Sequence, residues 1–224
     1  MTNAFGALGD IHGDFDAARR VMERHPEVPF WLCAGDVADA EGNYQPLPAP
    51  LYWIKGNNEN FDLLAGRQTP PYAYIPNGEL VEIQAGDPPL RVAGLGGTFA
   101  PTMYEVPAKD LPHPQKSTPK ATGLADRRRH FVREEVERCR TMAGVDVFLS
   151  HEAPMPFRVG RVQAGKRPIN DVLASMKPRL HLFGHHHRFE ELTVEGGRSV
   201  CLDLIGSSYL LIDRKTLEYQ HLSS

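Results

Sequence analysis

Three cysteines in 224 residues are too few, and odd in number, for a disulfide framework. Cys33, Cys139 and Cys201 all fall in apolar or amphipathic segments, which predicts reduced core residues and a reducing compartment. No apolar run is long enough to cross a bilayer, so no membrane is expected as a partner. The opening residues lack a basic stretch leading into an apolar one, and Asp10 already belongs to the candidate site below, so no cleaved leader is expected. A cytoplasmic protein is therefore expected. Excess positive charge is missing too. The 25 Lys and Arg against 28 Asp and Glu leave a net charge of −3, which excludes a strongly basic nucleic-acid binder while leaving room for a local patch. Internal repeats and linker-like stretches are absent. The length suits one α/β domain spanning residues 1–224, large enough to bury a sizeable core.

What the chain does have is five short apolar runs, each ending in residues that can bind metal. Ala4 to Leu8 leads into Asp10 and His12, and Phe30 to Cys33 leads into Asp36 and Asp39. Leu51 to Ile54 precedes Asn57 and Asn58, Val145 to Leu149 precedes His151, and Leu180 to Phe183 precedes His185, His186 and His187. Runs of this length that stop at Gly or Ser read as buried strands. In open α/β sheets ligands bind beyond the carboxyl ends of the strands. If the runs pair in one sheet, their trailing loops gather these side chains on one rim. Residues two apart in extended chain share a side, so Asp10 with His12, and His185 with His187, can serve one site while His186 points away.

Taken singly, these elements are weak. A Gly-Asp after a strand is often only a turn, and a lone strand-end histidine is ordinary. A short His-rich tract binds metal more often. The joint pattern carries the inference. Asp10-Ile11-His12, Gly35-Asp36, Gly56-Asn57-Asn58-Glu59, His151 and Gly184-His185-His186-His187 follow one another in a fixed order. In this the chain resembles the calcineurin-like metallophosphoesterases, whose blocks are D-x-H, G-D, G-N-H-[ED], H and G-H-x-H. The match spans residues 9 to 187.

The resemblance implies two facing mixed β-sheets flanked by helices, a four-layer α/β/β/α sandwich. It places Asp10, His12 and His187 on one divalent metal and Asn57, His151 and His185 on a second, with Asp36 bridging both. It implies a metal-dependent hydrolase of phosphate esters in which a hydroxide bridging the two metals attacks in line. His12, Asp36 and Asn58 are the residues expected to act in catalysis. The chemistry is sound, since two cations roughly 3.5–4 Å apart neutralise the ester's charge and generate hydroxide near neutral pH. A donor set of imidazole, carboxylate and amide oxygen without thiolate suits Mn, Fe or Zn, with Mn favoured.

One position departs from the family pattern. Asn58 stands where the family has a histidine thought to bind phosphate or protonate the leaving oxygen. An amide donates hydrogen bonds but has no proton to give at usable pKa. The expectation is an enzyme that prefers activated esters, unless His113 or His130 supplies the proton; each of those also reads as a plain surface histidine. Asp39 either supports a histidine ligand or sits in solvent.

Periodicity predicts helices over about Phe15–Arg24, Glu59–Ala65, Leu124–Ala143 and from Pro168, with strand-like pieces at Leu80–Gln84 and Leu90–Leu95. Prolines at 101, 107, 112, 114 and 119 preclude a continuous helix, so residues 96–123 read as an irregular insertion. Lys109, Lys116 and Lys120 in it, with Arg127 to Arg129 at the start of the following helix, either hold an anionic substrate or are solvated charges. The tail after His187 reads as a β-meander: Phe189–Val194, Ser199–Leu204, Ser208–Ile212 and Leu217–His221.

The stretches G-L-G-G-T-F-A-P and S-H-E-A-P-M-P look similar to the branch of the family with RNA lariat debranching enzymes and small phosphodiesterases. Protein phosphatases of the family usually carry an Arg soon after the second Gly-Asp, and Val37 to Gly42 contains none. A phosphodiester, such as a nucleotide or oligonucleotide ester, is thus the expected substrate. The alternative from another class is a catalytically weak protein that uses this fold as a binding or scaffold module. The sequence leaves oligomeric state open.

Overall fold

The computed structural model describes residues 3–66, 72–84, 86–113 and 126–224. The first four strands are β1 (Ala4–Leu8), β2 (Trp31–Cys33), β3 (Leu51–Trp53) and β4 (Ala73–Tyr74), all parallel to one another. Next come β5 (Glu79–Ile83), β6 (Leu90–Leu95) and β7 (Val147–Ser150), a small hairpin of β8 (Arg158–Val159) and β9 (Val162–Gln163), then β10 (Leu180–Phe183), β11 (Glu190–Val194) and β12 (Gly197–Cys201). The chain closes with β13 (Ser208–Asp213) and β14 (Tyr219–Ser223). Apart from the hairpin, they form two mixed six-stranded sheets, ordered β14-β13-β1-β2-β3-β4 and β11-β12-β10-β7-β6-β5.

Alternation along the strands builds the layers. Phe5 and Ala7 of β1, Leu32 of β2, Val147 and Leu149 of β7, and Leu180 and Leu182 of β10 meet between the sheets in one apolar cluster. The intervening residues face outward. Leu8, Trp31, Cys33 and Trp53 receive Phe15, Ala18, Val21 and Met22 of α1 (Phe15–Arg24). A shorter helix, α2 (Phe61–Ala65), follows β3 and is capped by Asn60. On the far side Ala93, Leu95 and Phe148 receive α3 (Arg133–Arg140) and α4 (Arg167–Met176). The result is helix, sheet, sheet, helix, as expected. Cys33, Cys139 and Cys201 are buried and free.

Three local expectations are corrected. The five apolar runs do not share one sheet: β1, β2 and β3 lie in the first and β7 and β10 in the second, with their trailing loops brought together between them. The tail is not one meander. β11 and β12 pair with each other, and β12 joins β10 in the second sheet, whereas β13 and β14 cross to the first, where β13 pairs with β1. Among the described residues, the helix expected over 124–143 is confined to Arg133–Arg140. Ahead of it, Asp126 caps a 3₁₀ turn at Arg127–Arg129. The chain then runs beside Thr98, whose N–H donates to the Arg129 carbonyl at 2.9 Å and whose carbonyl accepts from Phe131. The Lys55 ammonium, buried with its pKa lowered by desolvation, donates to the Arg128 and His130 carbonyls at 2.8 and 3.2 Å. Carbonyls engaged this way are drawn away from helical bonds, so α3 starts late, with Glu135 accepting from the Val132 N–H.

Candidate metal centre

The expected ligands converge. Oδ2 of Asp10 lies 3.0 Å from His187 Nε2 and 3.8 Å from His12 Nε2, and the two imidazole nitrogens are 3.1 Å apart. A second group holds Asp36, His151 and His185, with His151 Nε2 3.5 Å from Asp36 Oδ2 and 3.1 Å from Asn57 Oδ1. Asp36 Oδ2 is also 3.5 Å from His12 Nε2, so one carboxylate oxygen touches both groups. Asp10, Asp36 and His151 are almost wholly buried, whereas His187 is part-exposed and opens the site to solvent.

The donor chemistry fits cations. His151 Nδ1–H donates to the Ala34 carbonyl at 2.9 Å, so in the neutral ring Nε2 is an acceptor. It faces the oxygens of Asn57 and Asp36, two further acceptors. Lone pairs gathered this way need a positive charge among them. Burial opposes the charged ring, but Asp36 and Asp10 outweigh it, and the His151 pKa rises. The His187 pKa also rises, chiefly through its hydrogen bond to Asp10. His185 goes the other way, to about 3, because burial and the adjacent His151 and His186 disfavour a charged ring. A neutral imidazole is the form that ligates metal.

Backbone geometry marks the same residues. His12, Asp36, His185 and His187 have φ of 47°, 52°, 70° and 50°, the left-handed region that non-glycine residues avoid. Such conformations cost roughly 1–3 kcal/mol each and persist where the surroundings impose them. The motif glycines have a steric cause. A Cβ on Gly56 would lie 1.9 Å from Asp36 Oδ1, and one on Gly184 would lie 2.3 Å from Asp10 Oδ1. Gly184 thereby lets the His185 N–H donate to both Asp10 oxygens at 3.1 Å.

Asn58 is bound to Asp36. Its backbone N–H donates to Asp36 Oδ1 at 2.7 Å and its side-chain amide to Oδ2 at 3.3 Å. It orients the shared carboxylate. His130 lies outside the site: Nδ1 pairs with Thr98 Oγ1 at 2.9 Å, and burial with the nearby Arg129 cation lowers its pKa to about 4. His113 is exposed. Asp39 supports no histidine but accepts from the Glu41 and Asn43 N–H groups of its own loop. His186 turns its ring onto Phe157, 4.6 Å between centroids, and belongs to neither ligand group. Arg128 is engaged by Asp126 and Asp62, while Arg127 is exposed and Lys109 lies at the surface in a 3₁₀ turn. Lys116 and Lys120, with much of the expected insertion, lie outside the described residues.

Glu59 has a role that its place in the sequence did not announce. Its carboxylate accepts from the N–H groups of Val37 (3.0 Å), Ala38 (3.4 Å) and Gly56 (3.2 Å) and from the Tyr44 hydroxyl (2.8 Å). It ties the loop after β2 to the loop after β3. Burial, then the charge of Asp36, raises its pKa to about 8. The only signal in the sequence was an acid closing the G-N-N-E block.

The family model described as calcineurin-like phosphoesterase matches residues 4–189. Comparison with curated proteins gave no match. A solved structure from Thermus thermophilus is similar over 100% of this chain and 99% of its own, with TM-score 0.66 and 14% identity. The calcineurin-like phosphoesterase YfkN from Bacillus subtilis is similar over 98% and 88%, with TM-score 0.54 and 13% identity. The anchor in the inner membrane complex of Plasmodium, over 98% and 88%, gives TM-score 0.55 and 11% identity. At such identities these likenesses show the fold alone.

Proposed function

The chain belongs to the calcineurin-like phosphoesterase family, and from that premise we propose that it is a phosphodiesterase working with two divalent metal ions, manganese favoured over iron or zinc. Asp10, His12 and His187 would hold one ion, Asn57, His151 and His185 the other, and Asp36 both. The observation that carries this reading is the single Asp36 oxygen within 3.5 Å of an imidazole nitrogen in each group. When bound, the ions would neutralise the ester's charge and lower the pKa of a water enough to make hydroxide available near neutral pH.

The chain's own residues do the rest. Asn58 and Glu59 fix the orientation of Asp36 and of the loops beside it. The part-exposed His12 and His187 form the edge where an ester can enter. Because the Asn58 amide is spent on Asp36 and cannot give a proton, leaving groups that depart without protonation are preferred. The two stretches similar to small phosphodiesterases, and the lack of an Arg after Asp36, support a diester over a monoester. A nucleotide or oligonucleotide ester is the proposed substrate, and three buried reduced cysteines support a cytoplasmic setting.

The test is a screen of the Mn²⁺-loaded protein against bis(p-nitrophenyl) phosphate, p-nitrophenyl phosphate, and nucleotide, cyclic nucleotide and oligonucleotide esters. Diester turnover above monoester turnover, lost in Asp36→Asn, supports the proposal. Faster monoester turnover overturns the diester preference. Bound metal without turnover on any ester favours the scaffold reading, to which Asn58 lends its one specific support. Asn58→His should raise rates on unactivated esters more than on nitrophenyl esters, by up to roughly 10²-fold if general acid catalysis is restored. Equal changes on both would refute the leaving-group argument.

A further inference from the structure

We propose that the β8–β9 hairpin is a binding arm for a single-stranded oligonucleotide, holding the strand beyond its scissile phosphate. This rests on the phosphodiesterase reading above and extends it to a substrate longer than the ester itself. The hairpin springs from the segment between His151 and His185 and abuts the centre. Phe157, the residue before β8, packs against the His186 ring and against the Arg188 guanidinium, 4.4 Å from its centroid. Arg188 also donates to the Arg158 carbonyl. A strand whose phosphate sat at His187 would meet this hairpin next.

Its composition is cationic within a net-negative chain. From residue 153 to 170 there are four cations, Arg158, Arg161, Lys166 and Arg167, and no acid. Lys166 faces Glu152 and Arg167 faces Asp171. Among the described residues no carboxylate pairs with Arg158 or Arg161; the Arg158 guanidinium instead folds over the turn to the Arg161 carbonyl at 2.7 Å. Val159 and Val162 are directly opposed across the hairpin and so share a face, and they are 47% and 67% exposed, large apolar side chains left in solvent. By the same alternation Arg158 lies on the opposite face with Gln163. Cations at the turn and on one face, with an apolar patch on the other, fit a strand that wraps the hairpin with phosphates on the arginines and bases against the valines. A lipid surface is the poorer fit, because the hairpin is anchored through Phe157 to His186 and Arg188 beside the ligand cluster, where a phosphodiester strand and not a headgroup layer is to be held.

The experiment compares wild type with Arg158→Glu/Arg161→Glu and Val159→Ser/Val162→Ser. A fluorescent single-stranded oligonucleotide is titrated against chelator-treated protein by anisotropy. The Mn²⁺-loaded forms are assayed for kcat/KM on the same strand and on bis(p-nitrophenyl) phosphate. Charge reversal should weaken binding by at least about tenfold and lower the salt slope by about 1.4, from roughly 0.7 per phosphate contact on single strands. The ratio of strand to small-ester kcat/KM should fall in both double variants. Melting curves confirm that each variant folds, and Arg161→Ala serves if charge reversal unfolds the hairpin. Strand binding that no hairpin variant weakens overturns the proposal. So does hairpin-dependent binding confined to phosphatidylserine vesicles or a phosphopeptide. Hairpin-dependent strand binding with no ester turned over would sink the hydrolase reading and uphold the arm.

Discussion

His181 should make the fold acid-sensitive by an amount that can be worked out. Its ring lies in β10, fully buried beside the rings of Phe148 and Phe183, 5.2 and 5.3 Å away. Ser150 Oγ donates its hydrogen to the Glu152 carbonyl at 2.7 Å, so the 2.8 Å contact between His181 Nε2 and Ser150 must be donated by the ring. Nδ1 then accepts from Ser199 Oγ at 3.0 Å. Both nitrogens are occupied in one neutral tautomer, and a second proton has no acceptor unless Ser199 reverses. Burial accordingly lowers the pKa to about 3, against roughly 6.5 in the unfolded chain. The unfolded state therefore binds the proton first, so this contribution is complete above pH 6.5 and falls as pH drops towards 3. At ~1.4 kcal/mol per unit, the loss between pH 6.5 and 5 is ~2 kcal/mol, and the full window is worth at most ~5 kcal/mol. Urea unfolding at several pH values, for wild type and His181→Phe, isolates this term. The phenyl ring keeps the stack and cannot titrate. Its cost, from two hydroxyls losing a partner, is about 1–3 kcal/mol each and does not vary with pH over this range. A variant whose stability falls with pH as steeply as the wild type's would refute the reasoning.

Three further outcomes follow from the centre. Glu59→Ala removes the acceptor shared by Val37, Ala38, Gly56 and Tyr44, and should lower metal affinity about 10–100-fold, measured by competition with a chelating dye; undiminished affinity would mean the loops hold themselves. Gly184→Ala should displace Asp10, to which the His185 N–H is also bonded, and lower metal occupancy below two ions per chain, as counted by elemental analysis; two metals per chain would refute it. Mn²⁺ at 100 times its Kd should stabilise the chain by about 2.7 kcal/mol, an effect that shrinks as pH falls because the imidazoles must be unprotonated to bind. A melting temperature indifferent to Mn²⁺ and chelator would contradict the candidate centre.

The parts legible in the sequence were those encoded locally. Short apolar runs punctuated by Gly and Asp announced β1, β2, β3, β7 and β10, and the spacing of Phe15, Ala18, Val21 and Met22 announced α1. What escaped depends on contacts distant in the chain. The late start of α3 is tied to Lys55, more than seventy residues upstream. The division of the tail between sheets depends on which older strand has a free edge. Asp39 read as a possible support for a ligand because the sequence cannot show that its oxygens are taken by Glu41 and Asn43. His181 was invisible as a structural group, since Ser150 and Ser199 become its partners only when β7, β10 and β12 lie side by side.

The division of the strands has a mechanical consequence. Asp10, His12, Asp36 and Asn57 hang from one slab of the sandwich, while His151, His185 and His187 hang from the other. An ion gripped by both is a rivet through the seam. Prising the slabs apart at that rim would mean tearing it out, so a filled centre should shield the inner faces of β1 and β10 from solvent exchange even when no ester is near.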